Sequence, residues 1–219
     1  METLFNPDNP FWNFIGKIVG ICVLSMVFTL CCLPIVTIGP ACAAMYYAVV
    51  KSIRRERSYY ITEFFRAFRE NLKKGIVANL ILLTLAVMMF LTDVPLILSY
   101  LNTGELNNII STVLFLAKLI LLLGVSCWIY PLMSRFDQRL TALFGYSLLF
   151  LVRNFFSSMF GILTLFVAIV LVVVEPLLLA IVPGTAALLI SFCLEPVLQK
   201  LCGDPEGDPS LQDLWYLGR

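Results

Sequence analysis

Leu33-Pro34-Ile35-Val36-Thr37-Ile38-Gly39-Pro40, followed by the basic run Lys51-Ser52-Ile53-Arg54-Arg55-Glu56-Arg57, decides how this chain is laid out. An apolar segment enters the first stretch and breaks at Pro34. It leaves through a run of small residues onto eight lysines and arginines between positions 51 and 74. Pro34 lacks an N–H, and Gly39-Pro40 permits a turn and then a helix that starts on proline. Pro34, Gly39 and Pro40 are therefore read as a structural turn between two helices. Ala41, Ala43, Ala44 and Ala48 give the second helix a face on which a neighbour packs closely.

Working outward, the residues before this switch form an apolar run from Phe11 to Leu33, long enough to cross a bilayer. Its leader is acidic, and the run exceeds a signal-peptide core, so a retained first helix is expected. After the switch, Ile61, Phe64, Phe65, Phe68 and Leu72 repeat at helical spacing. The opposite face carries Glu63, Arg66, Arg69, Glu70, Lys73 and Lys74, which predicts a basic amphipathic helix at 59–74 lying in the membrane interface. Arg54, Arg55, Arg57, Arg66, Arg69, Lys73 and Lys74 are the candidate surface for a partner or for anionic lipid.

Further spans are predicted at 75–92, 108–133, 159–179 and 185–201. An acidic loop with Asp93, Asn102 and Glu105 falls between the first two, and a second interfacial stretch at 134–158. The chain is 60% hydrophobic and 13% charged, with mean hydropathy +0.94. Soluble domains carry about twice that charge. The fold class expected is an all-α polytopic transmembrane bundle of about six helices, or five if 35–50 does not cross. It forms one domain over 1–202, with a turn-rich cytoplasmic tail at 203–219. The basic loops predict that both termini face the cytoplasm.

There is no histidine among the 219 residues, which removes the commonest general base and metal ligand. The seven cysteines show no CxxC pair and read as small, reduced hydrophobes. Nucleophile elbows, phosphate loops and paired metal motifs are missing, so the expectation is no enzyme, no catalytic or metal site, no cofactor and no nucleic-acid partner. Charges inside apolar spans are costly and should face one another or water. Lys118 is expected to pair with Glu175 or Glu195, either as a self-satisfying brace or as a solute or proton site.

Three stretches carry a family resemblance: Asn6-Pro7-Asp8-Asn9-Pro10-Phe11, Leu33 to Ala41 with Tyr46-Tyr47, and Tyr130-Pro131-Leu132-Met133-Ser134-Arg135-Phe136-Asp137. With these the chain resembles the YesL family of small multi-pass membrane proteins of Gram-positive bacteria, a domain of unknown function. The tail and Glu195 depart from that pattern. The resemblance implies a bacterial cytoplasmic membrane and an accessory role beside sugar uptake systems of the ATP-binding-cassette type. The partners it implies are permease or sensor subunits. The alternative is a small autonomous transporter or channel, as a homo-oligomer in the bilayer.

Overall fold

The computed structural model describes residues 10–54, 59–103 and 106–201, with side chains at 10–14, 96–103, 106–111 and 201 outside the description. The described residues are helical apart from short links, with no strand among them. Helix α1 covers Pro10–Cys31. A short 3-10 turn, Ile35–Thr37, leads into α2, Ile38–Ala48, which widens into a π-helical turn at Val49–Arg54. Helix α3 covers Tyr60–Thr103, α4 Leu106–Arg135, α5 Leu140–Arg153 and α6 Phe155–Val174. A second 3-10 turn, Pro176–Ala180, precedes α7, Val182–Leu201.

Five of these elements are long and apolar enough to cross a membrane: Ile35–Arg54, Tyr60–Pro95, Thr112–Arg135, Phe155–Val174 and Val182–Lys200. Ile15–Cys31 of α1 is a shorter apolar helix. The stretch from Ile35 exceeds the expected one because Lys51 does not end it. The helical path continues to Arg54, and Lys51 is buried.

Proline chemistry sets several breaks. Pro34 is extended, with φ −78° and ψ 118°, and starts the first 3-10 turn. Glu175, immediately before Pro176, is pushed out of the helical region to φ −132° and ψ 94°, which ends α6. Pro95, Pro131 and Pro196 instead sit inside helices.

Two expectations are corrected. The amphipathic stretch at 59–74 is not a separate interfacial helix. It is the start of α3, which runs unbroken for 44 residues through Asp93, where a loop was expected. Amphipathicity holds, but its buried stripe is Phe64, Ala67 and Asn71, while Ile61 and Phe65 are exposed. Those buried residues lie along α2: Gly39 meets Gly75, Tyr47 meets Arg66 and Lys51 meets Glu63, so the two helices run antiparallel.

Gly39 and Pro40 do not form the turn. Both lie within the first turn of α2, and the break falls earlier, at Pro34. A Cβ on Gly39 would come within 2.3 Å of the Gly75 carbonyl oxygen, and one on Gly75 within 2.6 Å of the Pro40 nitrogen. Gly39 is there for close approach of two backbones. Such contact matters in lipid, where helix association rests on packing rather than on escape from water.

The main core gathers Ala43 and Tyr46 of α2 and Val50 of the π-helical turn against Trp128, Ile129 and Leu132 of α4. Leu143 and Phe150 of α5 and Leu194 and Leu198 of α7 close it. The Trp128 indole donates to the Ser158 hydroxyl at 2.9 Å, which satisfies its one polar atom. A second cluster joins α1 to α2 and α3 through Leu24, Tyr47, Val49 and Phe64. Helix α6 stands at the other extreme: only 11% of its apolar window is buried, and most of its large apolar side chains are exposed.

Candidate functional site

Among the described residues, oppositely charged side chains meet between helices around three carboxylates that are themselves buried, Glu195, Glu63 and Asp93. Arg135, in the last turn of α4, meets Glu195 of α7 in an ion pair; each side chain is 1% exposed. The Tyr46 hydroxyl of α2 donates to the same carboxylate at 3.3 Å, and Gln199 stands 3.5 Å from its other oxygen. Three helices are thereby tied at one point.

The second group is Lys51, Glu63 and Arg66. Lys51 Nζ lies 3.0 Å from one Glu63 oxygen and Arg66 2.7 Å from the other. Arg66 also donates to the Tyr47 hydroxyl at 2.8 Å. Glu63 is in the first turn of α3, where the helix dipole favours a carboxylate. Third, Lys118 of α4 donates to both Asp93 oxygens of α3, at 3.0 and 2.9 Å. Asp93 is 8% exposed and Lys118 49% exposed.

The expected pairing of Lys118 with Glu175 or Glu195 is therefore overturned. Glu195 belongs to Arg135, and Glu175 caps the end of α6 as an exposed residue. Lys118 takes Asp93 because α3 does not stop at Thr92, which places Asp93 on the helix beside α4.

The basic surface is also divided. Arg54 turns inward, donates to the Ser191 carbonyl at 2.9 Å and lies 4.8 Å from the Phe192 ring centroid. Arg66 is committed to Glu63 and Tyr47. Lys74 reaches Asp137 and the Gln138 carbonyl, which ties α3 to the link between α4 and α5. Arg69 and Lys73 remain exposed. Arg55, Arg57 and the tail at 203–219 lie outside the described residues.

Sequence reasoning missed Arg135, Tyr46, Lys51 and Glu63 as interior groups. Arg135 ends an apolar span, where a basic residue ordinarily meets head groups. The one available signal was Glu195, a carboxylate inside α7 that required a cation somewhere.

Above Tyr46 the helices enclose a cavity of about 360 Å³. Phe28 of α1, Met45 and Tyr46 of α2, Tyr130 of α4, Ala168 of α6 and Ile190 of α7 are among its walls. The walls are almost wholly apolar. Its volume is in the usual range for small-molecule pockets.

A helical bundle with five apolar elements of crossing length, charges paired between helices and an outward-facing α6 defines a polytopic membrane protein. Residues 18–93, which cover most of α1, α2 and α3 as far as Asp93, match the family model described as "Protein of unknown function, DUF624". None of the curated proteins and none of the solved structures compared with the chain matches it.

Proposed function

We propose that the chain is a non-enzymatic membrane protein of the YesL type, accessory to ATP-binding-cassette sugar uptake or to its sensing. It resides in the cytoplasmic membrane of a bacterium with both termini inside, an arrangement in which α1 crosses as a sixth span beside the five elements of crossing length. The observation that carries this reading is how its interior charges are used. Arg135–Glu195, Lys51–Glu63–Arg66 and Lys118–Asp93 join helices to one another. Charges so committed suit a scaffold better than a solute path, and the large cavity has apolar walls that offer a sugar little to bond. Arg69 and Lys73 are left to meet a partner at the basic end of α3.

The test is recovery of tagged protein from its native membrane in mild detergent, followed by mass spectrometry. Permease or sensor subunits are expected in stoichiometric amounts. Reversing both cations, Arg69→Glu with Lys73→Glu, should cut their recovery about tenfold or more, since like charges across an interface are strongly unfavourable. Recovery of the protein alone as a defined oligomer, together with solute flux in liposomes, would replace this reading with autonomous transport.

A further inference from the structure

We infer that the cavity between α1, α2, α4, α6 and α7 is a binding site for one acyl chain of a membrane lipid. Three observations select that occupant. The first is wall chemistry. Cys127, Ala186 and Ile190 form a buried floor, and two of the three lining hydroxyls are already engaged, Tyr46 donating to Glu195 and Ser126 to the Leu123 carbonyl, which leaves that of Tyr130. A polar ligand would lose its hydration there with that one hydroxyl in return.

The second is where the cavity opens. Ile169 and Val173 line it and yet are 52% and 75% exposed. Its mouth therefore lies along an edge of α6, the least buried of the five elements of crossing length. What meets that edge is hydrocarbon.

The third is size. At about 360 Å³ the space admits a single flexible chain. A transmembrane helix, about 10 Å across with its side chains, does not fit, which argues against a helix of a partner or of a second copy entering here.

The experiment uses the full chain reconstituted in vesicles of phosphatidylglycerol and phosphatidylethanolamine. The protein is then extracted into mild detergent and weighed intact by native mass spectrometry. One phospholipid per chain is expected to survive extraction. Ala168→Trp, which places an indole in the cavity, should retain about tenfold less lipid. Leu163→Trp, on an exposed part of α6 outside the cavity, should retain as much as the unchanged protein.

Equal retention by both variants would overturn the proposal, as would no retained lipid in the unchanged protein. So would capture of a different apolar molecule, or a dimer that Ala168→Trp dissociates without any lipid being lost. If Ala168→Trp does not yield a monodisperse helical protein, Val172→Trp from the same wall gives the same comparison.

Discussion

Arg135 and Glu195 sit where water cannot reach either of them, so each depends on the other for its charge to be tolerated. Removing one partner leaves an uncompensated ion and costs about 3–5 kcal/mol, whereas replacing both by apolar groups is often neutral. Arg135→Met is therefore expected to lower stability by about 3–5 kcal/mol. Arg135→Met with Glu195→Leu should regain most of that. Thermal unfolding in detergent, followed by circular dichroism, reads both. If the double variant is as unstable as the single one, the pair is not acting as a mutual brace. The partner of Glu195 was not legible because nothing local in the chain points from position 195 to position 135. Its need for one was legible, since a carboxylate inside an apolar span must be met.

At the level of helices, the decisive contact is α2 on α3. Gly75 has no room for a methyl group, since the nearest atoms are the Pro40 backbone rather than a movable side chain tip. Gly75→Ala should force the helices apart and cost about 1–3 kcal/mol. Gly145→Ala in α5 has open space around it, so the better helix propensity of alanine should leave stability unchanged or raise it by up to about 1 kcal/mol. The denaturation midpoint of Gly75→Ala should fall while that of Gly145→Ala holds or rises, and a neutral Gly75→Ala would remove the close-packing role of that contact. The sequence showed that small residues gather in this region. It could not show whether Gly39 served a turn or a backbone contact, because glycine is the residue for both. The length of α3 was hidden for a related reason: the charges before Gly75 and the Asp93, Pro95 pair each resemble a boundary, and tertiary partners absorb both.

Across the whole molecule, composition and apolar run length were enough to give an all-α membrane bundle, because a bilayer admits few other solutions. The cavity was invisible beforehand, since its walls come from five helices distant in sequence and its residues look like any others in a membrane span. The side-to-side arrangement can be read with cysteine labelling in a background without the seven native cysteines. Lys73→Cys and Gln138→Cys should react with an impermeant maleimide from the same side, as Lys74 contacts Asp137 and Gln138. Asn102→Cys should react from the other side. Positions 73 and 102 are separated by about 44 Å of continuous α3, more than the hydrocarbon thickness. Labelling of all three from one side would mean that α3 does not cross.

The Gly39–Gly75 contact has a mechanical consequence. It is a point of backbone-to-backbone contact on a single 44-residue helix, and it is off centre. From Gly75 to Tyr60 is about 22 Å along α3, and from Gly75 to Thr103 about 42 Å. A rod held at that fulcrum is a lever with unequal arms. Because the long arm is tied to α4 through Lys118 and Asp93, a push on the exposed cations of the short arm is felt as load on that ion pair rather than as free movement of the far tip.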